Sequence, residues 1–433
     1  MLIVSAIMPF IRTPFLLVVF LFAGSCLLPA QSPEAPLEEG IFLPNIKTVR
    51  FHIDGLELTY PIIDLNSSNR LLLSFDDLDA DVKNYTYTLV HCNADWTPSN
   101  LAPNEYLDGF SEGTIDEYDY SFNTTTPYTH YWLLLPNEDL RFTKSGNYLL
   151  EVYEDQGDRR MAFTRRFMVV EPRVRILPQM VRPARVDKQR THQEIDFVVA
   201  HDGFDIRNPR TELQAVILQN GRWDNAIVGV PPKFSRGNEQ VFDYQDRIVF
   251  PAGNEFRYLD LRSLRRPSEN VFQIDRSDRG YEVMLLPDEK RFDKPYLDWD
   301  DLNGQYVVET LDQDDPELEA DYAEVLFTLN SPSEYADREV YLFGALSDWQ
   351  LRDECRMVYN PAVNGYVGRV WLKEGFYTYA YALSPQEGTA PDLAEVEGNW
   401  FETRNNYTIL LYFKPFGSRY DRLIGVVTFD SRS

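Results

Sequence analysis

Beyond the first forty positions, apolar and polar residues alternate with a period of two along much of the chain, the spacing of strands whose two faces meet different surroundings. At 85–92, Tyr85, Tyr87 and Leu89 fall on one face and Thr86, Thr88 and Val90 on the other. Aromatics and threonines on both faces suit a strand buried on each side, as in a sandwich. The same reading predicts strands at 49–53, 71–75, 130–135, 147–153 and 162–170. A second group falls at 194–199, 212–219, 240–250, 257–260 and 281–286. A third covers 323–329, 340–343, 366–372, 377–382, 409–413 and 423–429. No helical scaffold accompanies them.

Turn chemistry punctuates these runs. The side chains of Asn93 and Asp95 can bond nearby backbone and end the 85–92 strand, leaving Trp96 just beyond it. Asn220-Gly221 is a tight-turn pair, followed by Arg222, Trp223 and Asp224, and 344–349 repeats the turn-then-tryptophan pattern at Trp349. Residues 155–158 form a hairpin tip. Residues 104–126 are a long polar connection and a candidate contact surface. Prolines at 172, 178 and 183 mark a boundary, because proline cannot join a central ladder. The acidic stretch 312–324 reads as a solvated linker.

A chain of 433 residues suits three domains at roughly 100–150 residues each. The expected organisation is a signal peptide at 1–30, a flexible lead at 31–41, and three consecutive β-sandwich modules at 42–171, 172–303 and 304–433. Arg12 and the short apolar run 15–22 make up the signal, with cleavage expected after Ala30 in preference to lipidation at Cys26, which lacks a leucine three residues before it. The run is too short to span a bilayer, and no later stretch reaches the length of a membrane helix, so no direct membrane insertion is expected. The net charge of −26 argues against nucleic acid or an anionic lipid surface as partner. Cys92 and Cys355 lie too far apart in sequence to suggest a disulfide framework, and are expected as separate buried thiols.

Candidate chemistry is sparse. The five histidines show no metal-ligand spacing, and His91-Cys92 point to opposite faces of a strand. Asp77, Asp79 and Asp81 resemble the opening of a calcium loop but lack its glycine and its closing glutamate. Asp298, Asp300 and Asp301 read as an exposed acidic turn. No phosphate loop, nucleophile elbow or paired-carboxylate pattern stands out, so no catalytic residue, cofactor site or metal site is expected, and the protein is not read as an enzyme.

Two stretches carry a family resemblance: 91–96, His-Cys-Asn-Ala-Asp-Trp, and 416–425, Phe-Gly-Ser-Arg-Tyr-Asp-Arg-Leu-Ile-Gly. With 219–223 and 250–257 they resemble the type IX secretion system plug protein family of the Bacteroidetes. Separately, 340–381 is similar to an early-set immunoglobulin-like module of the kind found in starch- and glycogen-binding domains. The fold class expected is therefore all-β, with immunoglobulin-like or early-set-like sandwiches. The resemblance implies a periplasmic protein that seals the inner mouth of a giant outer-membrane β-barrel translocon and is held to the outer membrane through that partner. Arg419, Tyr420, Asp421 and Arg422, with Asp95, Trp96 and Trp223, are the candidate partner-contact or fold-signature residues. An ion pair of Arg419 or Arg422 with Asp421 over a packed Tyr420 is the other reading of that stretch. The competing function is an exported carbohydrate-binding sandwich array, motivated by Trp349, Trp371 and Trp400, which would need those rings exposed on one face.

Overall fold

The structure, a computed structural model, describes residues 37–432 except 279, 387 and 389. The signal segment expected over 1–30, Cys26 included, and residues 31–36 lie outside the described residues. Strands dominate, and no helix among the described residues exceeds four residues.

In the first sandwich one sheet runs Gly40–Ile41, Arg159–Val170, Gly146–Asp155, Tyr85–Cys92, Glu112–Ile115, with Ile62–Asp64 alongside Arg159–Val170. The other runs Ile46–Ile53, Leu71–Asp77, Thr129–Leu135, Glu117–Tyr120. They close over Leu73, Phe75, Tyr85, Tyr131, Tyr148 and Phe163, with the Phe75 ring edge-on to Tyr85 and Phe163 at 5.0 Å. Such aromatic pairs add to burial because ring edges and faces carry opposite partial charge. The lead is ordered from residue 37: Leu37 N–H donates to the Trp96 carbonyl at 3.0 Å, and Gly40–Ile41 pairs with Phe163 and Thr164. The polar connection at 104–126 holds three short strands.

The middle sandwich takes strands from two distant parts of the chain. Its first sheet contains Arg175–Val181, His192–Ala200, Glu239–Phe242 and Phe234–Arg236, with Val249–Pro251 added to His192–Ala200. The predicted strand at 240–250 is thus two strands, separated by a polar loop in which Asp246 has φ 60°. Its second sheet runs Ile227–Val230, Leu213–Gln219, Asn406–Phe413, Arg422–Asp430. Leu213 faces Phe413 across the antiparallel ladder, and Phe197, Ile217, Phe242, Ile409 and Leu411 share one core.

The third sandwich lies between these two contributions. Its nine strands begin at Arg257–Asp260, and its core joins Leu259, Val283, Val325, Phe327, Leu342 and Tyr381. Tyr322–Asn330 alternates as predicted, with Ala323, Val325, Phe327 and Leu329 inward. The expectation of three consecutive modules is therefore corrected: the third sandwich is inserted into the middle one. Strands within 257–285 belong to the third core and those at 406–430 to the middle core, so the expected boundary at 303 crosses a single core. Gly253 and residues 399–400 lie side by side, the Trp400 N–H donating to the Gly253 carbonyl at 2.9 Å, so the insertion leaves and returns at one place.

Candidate functional site

The residues singled out in the sequence converge on the seam between the first and middle sandwiches. Outward faces of the first sandwich, through Cys92, Leu149, Met168 and Val170, pack against Val216, Leu218, Leu410 and Tyr412 of the middle one. This is why 85–92 and 146–155 carry buried side chains on both faces. Trp96, with φ 65° at the end of its turn, lies edge-on to Trp223 with centroids 5.0 Å apart. The Arg166 guanidinium, on the same sandwich as Trp96, lies 4.4 Å from the Trp96 ring and 5.6 Å from the Trp223 ring, and the second of these cation–π contacts spans the seam. Asp95 stays exposed and holds the turn, accepting from the Thr97 N–H at 3.0 Å and the Thr97 hydroxyl at 2.6 Å.

The 419–422 stretch clasps this turn. Asp421 accepts from the Ala94 N–H at 3.0 Å and lies 3.2 Å from the Lys414 ammonium. Arg422 donates twice to Glu171, at 2.7 and 2.8 Å, and Arg419 pairs with Glu105. Half-buried Tyr420 stands edge-on to His91 at 5.4 Å. Burial lowers the His91 imidazole to about 4, leaving the ring neutral at ordinary pH. The expected ion pair with Asp421 is corrected: the arginines reach Glu105 and Glu171 of the first sandwich, and Asp421 faces Lys414. The two stretches that carried the resemblance form one contact. Glu105, Asn147 and Glu171 went unnoticed as their partners. Asn147 could have signalled itself as a lone amide in an aromatic strand; it donates to the Asn93 carbonyl at 3.1 Å and accepts from the Tyr412 hydroxyl at 2.7 Å.

A second seam joins the first and third sandwiches around a buried charge. Asp76 accepts from Lys373 at 2.8 Å, from Tyr322 at 2.6 Å and from His130 at 2.6 Å. Burial works to raise the Asp76 carboxyl, but Lys373 and His130 outweigh it and hold the group at about 2. Burial pulls Lys373 below its usual value, against the upward pull of Asp76. The acidic stretch expected as a solvated linker lies in this seam: Glu317 pairs with Arg50, and Asp321 accepts from the N–H groups of Thr125 and Thr126. The polar connection at 104–126 does make a contact, with the chain's own third sandwich.

The calcium-like run holds a cation of its own. The Lys83 ammonium lies 2.9 Å from Asp77 and 3.8 Å from Asp81, and also pairs with Asp79. Asp298 pairs with Arg404 at 3.1 Å and Arg432 at 2.8 Å, tying the third sandwich to the end of the middle one. Asp301 is half-buried where an exposed turn was expected, accepting from the Asn303 N–H at 2.7 Å, and desolvation raises it to about 7. Cys92 and Cys355 are buried free thiols. The three candidate sugar-binding tryptophans do not form a platform: Trp349 packs on Phe343 and Phe256, Trp400 on Tyr296, and Trp371 stands exposed on another strand.

Comparison with known proteins adds the following. Residues 46–171 match the family model described as type 9 secretion system plug protein, first domain. That span is the first sandwich from its strand Ile46–Ile53 to Glu171, the acceptor of the Arg422 clasp. Among solved structures, a hypothetical protein from Parabacteroides merdae ATCC 43184 is 36% identical, with 92% of this chain and 100% of that chain covered and a TM-score of 0.88. A search of the curated proteins finds no match. The chain belongs to the type IX secretion system plug protein family, a family of secretion components.

Proposed function

We propose that this protein closes the periplasmic mouth of the type IX translocon, the giant outer-membrane β-barrel, by standing in front of its lumen. A wide barrel holds an aqueous channel and leaks unless stopped. A stopper acts through shape, so it needs a body that does not deform and no reacting group. The observation that carries this reading, beside the family, is the construction of the seams. Trp96, Trp223 and Arg166 in one, and Asp76, Lys373 and Tyr322 in the other, bind the sandwiches through buried contacts instead of flexible linkers. The acidic charge keeps the stopper soluble and its attachment reversible unless the barrel presents matched basic groups. The test is conductance of the purified barrel in a planar bilayer. Addition of this protein to the periplasmic side is expected to reduce the open-channel current, and washing to restore it. Full current with the protein demonstrably bound would overturn the reading.

A further inference from the structure

A groove opens at the seam of the first and third sandwiches, between the outer face of Thr129–Leu135 and the short helix Pro316–Glu319. Its volume is about 390 Å³, within the range of sites that hold small groups. The floor is apolar. Leu72 lies opposite Leu134 and Ser74 opposite Trp132 in the ladder, so Leu72, Trp132 and Leu134 share the face turned away from the first core. All three are half-buried, and Leu318 closes the far wall.

Carboxylates of Asp54, Asp119 and Asp315 also line it. Asp54 pairs with Arg70 at 3.2 Å, and the Glu317 carboxylate is committed to Arg50. Asp119 and Asp315 have no ion-pair partner among the described residues; Asp315 does cap its helix, accepting from the Glu317 N–H at 3.1 Å. A neutral occupant would desolvate both charges without compensation, whereas a cation would satisfy them.

The wider field has the same sign. Residues 42–172 hold 10 Lys and Arg against 21 Asp and Glu, and residues 256–398 hold 14 against 30. The two parts of the middle sandwich, 173–255 and 399–433, hold 17 against 14. The negative charge of the molecule thus belongs to the two sandwiches that form the groove, which steers cationic partners toward it.

We propose that this groove docks a basic peptide segment of a protein partner, with an aliphatic or aromatic side chain on Trp132 and Leu134 and an arginine or lysine between Asp119 and Asp315. This goes beyond closure of the barrel, which requires no particular groove. The test uses the full chain and a fluorescein-labelled peptide of alternating arginine and leucine, read by anisotropy, with a glutamate–leucine peptide beside it. Saturable binding of the basic peptide alone is expected, weakened about tenfold or more by Asp119→Lys and by Trp132→Ala. Asp119 is exposed on the edge strand Glu117–Tyr120, so the first variant keeps the fold if the second loses it. Equal affinity of the parent and Asp119→Lys, or no saturation by about 1 mM, would overturn the proposal. So would maltoheptaose binding that Trp132→Ala abolishes, which assigns the groove to a saccharide, or self-association that Asp119→Lys abolishes, which assigns it to a second copy.

Discussion

Asp76 and Glu374 are both buried carboxyls in the third sandwich's surroundings, yet they push stability in opposite directions with pH. Asp76 sits at about 2 in the folded chain against an ordinary 3.8, and Glu397, held by Arg257 and Arg291 against the effect of burial, sits at about 2 against 4.5. A depressed carboxyl contributes stability above its unfolded value and loses it as pH falls through the folded one. Glu374 and Asp301 are raised to about 7 by desolvation. Their contribution is full below about 4 and is lost as pH rises through 7. The melting temperature is therefore expected to rise as pH is lowered from 8 to about 5, then to fall steeply below about 4. Glu374→Gln should flatten the upper limb, and an unchanged upper limb in that variant would refute the assignment. At the other seam, Arg422→Ala leaves Glu171 without its bidentate partner and should cost about 1–3 kcal/mol, read by urea unfolding. Arg422→Lys should recover part of that loss, since an ammonium keeps the charge but not the fork.

At the scale of elements, the sequence showed where strands lie and which side chains share a face. The acidic segment 312–324 is where that reading fails. The 312–324 stretch reads as solvated because seven of its residues are acidic, and nothing local reveals that Arg50 and the Thr125 and Thr126 N–H groups await Glu317 and Asp321 from the other sandwich. Asp321→Asn is expected to weaken acceptance from those N–H groups, with faster amide exchange across 121–128 and exchange in Tyr85–Cys92 unchanged. Equal exchange in the two proteins would mean that the loop is held by other contacts. The Asn220-Gly221 turn was legible from its residues, but only in part. Both have positive φ, 54° and 70°, as a tight turn requires, while a Cβ on Gly221 would also lie 2.1 Å from the Tyr60 ring of the first sandwich.

For the whole molecule, the insertion of one sandwich into another sets what can be cut. A chain ending at 303 lacks Asn406–Phe413 and Arg422–Asp430, so Leu213–Gln219 loses its ladder partner and the seam loses Leu410, Tyr412 and Leu423. That fragment is expected to aggregate or to unfold without a cooperative transition. Removing 256–398 and joining the ends through a short glycine–serine link is expected to leave a folded, soluble protein of lower melting temperature, because Gly253 and Trp400 already touch. Circular dichroism melts of the two would decide; a cooperative melt of the 303 fragment would contradict the pairing described.

The sequence by itself determined the strands, their inward faces, the turns and the family, because alternation, turn chemistry and short signatures are properties of neighbouring residues. Tertiary structure alone decided that the last two strands complete the middle sandwich, and that Trp96, Trp223 and the 419–422 stretch meet each other. An alternating strand records that one face will be buried, not against what. The choice between partners some 200 residues apart is settled by the packing and desolvation of the whole chain.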